Sequence, residues 1–159
     1  MKVFKFGGAS VKDAAGVRRV ASVLDFFTED DILVVISAMG KSTNALEKIV
    51  AFHLAGDKLA CENALVELEK YHLDIIADLD FPQAHSVYEE VLQLFAQLRM
   101  KLSSLINGGF NMVYDQIVSF GELLSTKIVS AYLNQNSYQN IWLDARRLIK
   151  TDQSYRFAR

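Results

Sequence analysis

Three groups of residues in this sequence have types and spacings suited to chemistry: Lys5 with Gly7, Gly8 and Ser10; the run from Ser37 to Asn44; and Glu122 within Ser119-Phe120-Gly121-Glu122-Leu123-Leu124-Ser125. Lys5 lies near the end of an alternating stretch, Lys2 to Phe6, that reads as a short strand. Gly7 and Gly8 permit a tight turn and a close backbone approach that no side chain obstructs. Ser10, with Asp13 three residues on, reads as an N-cap in a capping-box pattern. Val11, Ala14, Ala15, Val17, Val20, Ala21 and Leu24 then recur near the helical period. Such a unit aims backbone N–H groups and the positive end of a helix dipole at one point, where a phosphate fits and Lys5 adds a full charge. The same residues also suit an ordinary βα corner with a surface lysine.

The second group follows Ile32-Leu33-Val34-Val35-Ile36, an unbroken β-branched run that reads as a strand buried on both faces of a parallel sheet. Ser37 to Asn44 is small and polar, and Leu46, Ile49, Val50 and Leu54 resume the helical period. Gly40-Lys41-Ser42 copies the end of a P-loop, but Val35 stands where that motif needs its first glycine, so the phosphate-wrapping loop is too short. In open α/β sheets the loops at the carboxyl ends of strands line the ligand crevice, which places this loop beside Gly7-Gly8 if the two strands are neighbours. Thr43 or Asn44 is then either a helix cap or a crevice residue, roles that do not exclude each other.

Glu122, the third candidate, stands in an apolar neighbourhood where an unpaired carboxylate is costly. Lys127 or a ligand ammonium would each supply the counter-charge. His53, His72 and His85 lack the i, i+4 spacing and carboxylate partner of a helical zinc motif, so no metal site is expected.

The elements that must position these groups read as α/β. Between Gly56 and Ile106 no strand is evident. Leu59, Leu65, Leu68 and Ile75 mark one helix ending before Pro82. Ala84, Val87, Tyr88, Val91, Phe95, Leu98, Leu102 and Leu105 mark a second, closed by Asn107-Gly108-Gly109. The pair forms a helical hairpin, 56–109, inserted into the domain. Val113 to Asn134 continues at helical spacing. Gln139 to Leu143 reads as a strand with Ile141 and Leu143 on one face and Trp142 on the other, and Leu148 to Asp152 as a short edge strand. Asp144 and Arg146 are expected to form a salt bridge at the strand end.

A chain of 159 residues, 51% hydrophobic with one proline, is long enough for one sizeable core, and no repeat or linker divides it. A net charge of -2 without blocks of like charge argues against a nucleic-acid or membrane partner. One cysteine, Cys61, allows no internal disulfide and suits a reducing compartment. The start lacks the basic and apolar regions of a signal peptide, and no apolar run approaches the ~20 residues of a membrane span, so a cytoplasmic location is expected.

The three groups together resemble aspartokinases, of the amino-acid kinase superfamily. Lys5-Phe6-Gly7-Gly8-Ala9-Ser10 is similar to the family's Lys-Phe-Gly-Gly-(Thr/Ser)-Ser opening, with Ala9 the one departure. Ser37, Ala38, Thr43 and Asn44 match Ser-Ala-x-x-x-x-Thr-Asn, and Ser119 to Ser125 matches Ser-Phe-Gly-Glu-x-x-Ser. The resemblance implies the amino-terminal lobe of a carbamate kinase-like, three-layer αβα fold with a mostly parallel sheet. It implies transfer of the ATP γ-phosphoryl group to the β-carboxylate of L-aspartate, with Mg2+ carried by the nucleotide. Lys5 is then the catalytic cation; Lys5, Phe6, Gly7, Gly8 and Ser10 face the phosphates; and Ser37, Ala38, Thr43 and Glu122 hold aspartate, Glu122 through its ammonium. On this resemblance 1–159 is an amino-terminal piece of a homo-oligomeric enzyme whose nucleotide-binding half and regulatory ACT domains lie elsewhere, and the piece alone is expected to be inactive. A glutamate or acetylglutamate kinase, and a non-catalytic α/β ligand-binding module, are the alternatives.

Overall fold

The computed structural model describes residues 1–105, 109–150 and 152. Strand β1 (Lys2–Phe6) pairs in parallel with β2 (Ile32–Ile36), with Lys5 opposite Val35 and Phe6 opposite Ile36. Between them runs helix α1 (Ala14–Leu24), and after β2 come α2 (Ser42–Leu54), α3 (Lys58–Asp78), α4 (Ser86–Ser104), α5 (Phe110–Val118), α6 (Phe120–Gln135) and the single turn α7 (Ala145–Leu148). This is the expected α/β arrangement, with the expected pair of long helices in its middle. No helix among the described residues is long and apolar enough to cross a membrane.

Alternation decides which face of the sheet is covered. Phe4, Phe6, Ile32 and Val34 pack against the core, whereas Val3, Leu33 and Val35 point away and are 60%, 43% and 44% exposed. The expectation that β2 is buried on both faces is therefore corrected: the described helices cover one face, and the β-branched run alone does not reveal which face lacks a partner. Across that open face Lys5 shares the side of Val3, Leu33 and Val35, since side chains two apart, and those opposite each other in the ladder, point the same way.

The start of α1 also differs from expectation. Gly8–Val11 forms a 3-10 turn, and the α-helix begins at Ala14 with Asp13, not Ser10, as its N-cap. Asp13 is extended (φ -154°, ψ 171°) and its Oδ1 accepts from Gly16 N at 2.7 Å. A Cβ on Gly16 would lie 2.5 Å from Ser10 O, so the tight turn from 3-10 to α geometry depends on that glycine.

In the middle, α2 packs on α3, α3 on α4, and α4 on α6. Leu46, Ile49, Leu65, Ile76, Phe95, Leu98, Leu124 and Ile128 form a dry core there. Leu59, expected on the buried stripe, is 73% exposed because it stands two residues before Cys61, about half a turn off the face that Cys61, Leu65 and Leu68 bury. Ala84 is likewise exposed, ahead of His85, which caps α4 by accepting from Val87 N at 3.1 Å. Of the expected closing signal for α4, Asn107 and Gly108 lie outside the described residues.

Gln139 to Leu143 is not a strand. It runs beside α6, where Asn140 Nδ2 donates to Ser130 O at 3.1 Å and Trp142 Nε1 donates to Thr126 Oγ1 at 2.9 Å. The side of a helix presents no extended backbone edge, so no ladder can form. The sidedness of the segment persists, with Trp142 half-buried and Ile141 and Leu143 exposed. The edge strand expected from Leu148 begins instead as the last residue of α7, whose N-cap Asp144 makes the expected salt bridge to Arg146 at 2.8 Å. Hydrogen bonds from Arg146 hold the Asp144 carboxyl below its usual range. Thr151 lies outside the described residues.

Candidate active site

The parallel pairing brings the first two candidate groups together at the carboxyl ends of the strands. Ser37 N donates to Phe6 O and Gly40 N donates to Gly8 O, both at 3.0 Å, so the 37–43 loop lies directly on the glycine turn. A Cβ on Gly8 would meet Ala38 O at 2.6 Å and Gly40 O at 3.2 Å; glycine is required there by the neighbouring loop. Gly7 has nothing within 4 Å of where a Cβ would stand, which leaves open space above the turn. Ser10 closes that turn, its N–H donating to Gly7 O at 2.9 Å, and its side chain is exposed. Helix α1 does not follow the glycine turn directly as expected: it starts at Ala14, after the 3-10 turn, and its end already holds the Asp13 carboxylate.

The loop itself is firmly seated. Ala38 and Met39 are buried, and Gly40 takes φ +53°, a left-handed conformation that suits glycine. Neither Thr43 nor Asn44 caps α2, which starts at Ser42 after Lys41 without a side-chain cap. Ser42 Oγ donates instead to Met39 O at 2.6 Å, and Thr43 stands half-buried in the first turn.

The third group arrives from the start of α6. Ser125 Oγ donates to Ser37 O at 2.8 Å, and Glu122 Oε1 accepts from Ala38 N at a long 3.4 Å. Gly121 makes the approach possible: a Cβ there would lie 2.8 Å from Ala38 Cβ and 3.2 Å from Leu46 Cδ1. Glu122 is exposed rather than set among apolar side chains; its neighbours Leu123 and Leu124 turn to the core while it turns to the crevice. Lys127 is not its partner. That ammonium bonds Glu90 at 3.0 Å and sits 4.1 Å over the Trp142 ring. Lys5 is exposed as well, and among the described residues neither Lys5 nor Glu122 takes part in an ion pair.

The sequence matches the amino acid kinase family over residues 1–157. The chain belongs to that family. Among curated relatives of this chain, the bifunctional aspartokinase/homoserine dehydrogenase 2 of Escherichia coli is 30% identical over 154 residues, covering 96% of this chain and 18% of that protein. The chloroplastic aspartokinase 2 of Arabidopsis thaliana is 36% identical over 150 residues, covering 90% of this chain and 26% of its own. Among solved structures, E. coli aspartokinase III with lysine and aspartate superposes with a TM-score of 0.86 at 26% identity, covering 100% of this chain and 34% of that one. The same enzyme with aspartate and ADP gives 0.85. This chain thus has the fold of an amino-terminal lobe of the family and spans about a third or less of the length of these relatives.

In this lobe the structure brings together all three sequence-marked groups, and it gives Gly121, named only as a member of the third group, the role of admitting α6 against the loop. Two further residues, Tyr71 and His72, were not marked as part of the site; they come from the middle of α3, with no spacing to announce them. His72 is fully buried; its Nδ1–H donates to Leu68 O at 2.8 Å and its Nε2 lies 3.5 Å from Ser42 Oγ. Burial pushes its pKa down to about 4, against the opposing Leu68 hydrogen bond, so it packs as a neutral ring behind the loop. Tyr71 reaches the loop from the same helical turn.

Proposed function

We propose that this chain carries the amino-acid side and part of the phosphate side of an aspartate kinase site. The observation that carries the reading is a pair of opposite charges at the joined loops, Lys5 and Glu122, that take part in no ion pair among the described residues, while Lys127 is engaged by Glu90. The similarity to aspartokinases, one of them solved twice with aspartate, supports aspartate as the amino acid.

Glu122 is suited to an ammonium, since a carboxylate held by one long N–H bond keeps most of its acceptor capacity. Thr43, at the head of α2, and the Ser37-Ala38 end of the loop then orient the rest of the amino acid. The β-carboxylate has an ordinary pKa of ~3.9 and is ionised at neutral pH, so the site needs no general base. Its task is to bring one anion to another in fixed geometry, which calls for positioning and cationic support.

The open space over Gly7 and the exposed ammonium of Lys5 fit a polyphosphate, with Phe6, Gly7, Gly8 and Ser10 framing it. ATP, carrying Mg2+, supplies the phosphoryl group when bound. Lys5 offsets charge on the phosphoryl oxygens, and the turn keeps side chains out of their way. The adenosine pocket and the cation for the substrate carboxylate belong, on this reading, to further chain, as do the contacts of a homo-oligomer working in the cytoplasm.

The test is ADP release by the complete reading frame with L-aspartate, L-glutamate or N-acetylglutamate, beside residues 1–159 alone. Aspartate-dependent release by the complete protein and none by the 159 residues is the expected result. Release driven by either other acid would make it a different amino-acid kinase, and ligand binding without turnover would make it a binding module.

A further inference from the structure

The two loops of the crevice come from different strands, and apart from the strand pairing the direct bond between their tips is Gly40 N to Gly8 O. A third element reaches both. Tyr71, on α3, donates its phenol O–H to Lys12 O at 2.5 Å, at the end of the Gly8–Val11 turn. The same oxygen lies 2.5 Å from where a Cβ on Gly40 would stand, and Lys12 Cβ is 3.5 Å from that point. The ring is half-buried and stacks edge-on against His72, which backs Ser42 from behind. We propose that Tyr71 is a positioning residue that holds the glycine turn and the 37–43 loop at a fixed spacing, so that the groups on each loop face each other in one geometry.

The chemistry suits the role. A carbonyl needs a donor, and burial together with the nearby Asp13 charge raises the phenol pKa, which keeps the proton on Tyr71. Gly40 leaves the room that the hydroxyl occupies, so its left-handed φ and its lack of a side chain serve the same contact. The consequence for turnover rests on the kinase reading above; the consequence for the loops does not. Each loop by itself still presents its own groups when the phenol is lost, so binding of either substrate survives, while their relative placement becomes broad.

The experiment compares wild type, Tyr71→Phe and Gly40→Ala in the complete protein by hydrogen–deuterium exchange and by steady-state kinetics. In Tyr71→Phe, exchange is expected to rise in peptides covering both 7–12 and 37–42, with α4 and α6 unchanged. kcat falls by about tenfold while each KM moves by less than about twofold. Gly40→Ala, whose methyl displaces the phenol, is expected to reproduce both changes. Faster exchange in one loop only, or in neither, overturns the proposal whatever the enzyme's substrate. A uniform rise in exchange with unchanged kcat would make Tyr71 a general packing residue and also overturns it. If wild type turns over no aspartate, the kinase reading fails, and the exchange result still decides the role of Tyr71.

Discussion

The helical middle of the chain and the crevice at the strand ends treat charge in opposite ways. Between α3 and α4, Arg99 bonds Glu69 at 2.7 Å and Glu62 at 2.9 Å, and within α3 Lys70 bonds Asp74 at 2.6 Å. Beneath them Phe95, Leu98, Leu65 and Ile76 are close to fully buried. At the crevice, Lys5 and Glu122 are exposed and without ion pairs among the described residues, on a frame of small residues in tight contact. One region satisfies its polar groups internally and contributes stability. The other holds its backbone rigidly while leaving two charges for something else to meet. Perturbations in the first should therefore appear in unfolding and those in the second in ligand handling.

The largest effect is expected in the middle. Phe95→Ala should cost about 3–5 kcal/mol of stability by leaving a cavity in a dry core, measured by urea unfolding; a loss below about 1 kcal/mol would mean that the helices repack freely. Acid should act next. His72 is neutral in the fold with a pKa of about 4 and titrates near 6.5 when unfolded, so between those values the unfolded chain binds the extra proton. Stability should fall as pH drops from 6.5 to 4 and level off below, by on the order of 3 kcal/mol from this one residue. Unfolding at stepped pH should show a shallower slope in His72→Gln; an identical slope would assign the acid sensitivity elsewhere.

On the crevice side, Lys5→Met in the complete protein should lower kcat by about a hundredfold, with little change in KM for aspartate and none in the unfolding midpoint. A stability loss would place Lys5 with the structural charges and erase the contrast. Glu122→Gln should weaken aspartate by at least ~1.5 kcal/mol in calorimetry and leave ATP nearly unchanged, since it removes one side of a charge-assisted contact. Equal losses for both ligands would make it a structural group. The smallest effect is expected on the helical side: Arg99→Leu should cost under ~1 kcal/mol, because its ion pairs are partly solvated, and should leave kinetics unaltered.

Much of this molecule was set by sequence alone, because its determinants are local. The alternation of Lys2 to Phe6, the β-branched run 32–36, the stripes of α3 and α4 and the glycines at 7 and 8 specify elements through spacing and backbone freedom. The three chemical groups were legible for the same reason, since each is a short segment beside an element boundary. What the tertiary structure alone decided are the choices made between distant segments. Glu90, 37 residues away, takes Lys127 and leaves Glu122 open. Gln139 to Leu143 has strand-like alternation but meets a helix side in place of a strand edge. Asp13 wins the cap from Ser10 because the glycine turn continues as a 3-10 turn under the 37–43 loop. Tyr71 and His72 lie on a helix whose periodicity announces only a core, and they reach the crevice because α3 packs on α2 directly behind it. A hydrogen-bond partner tens of residues away leaves no mark on local spacing, so only the packed chain could select it.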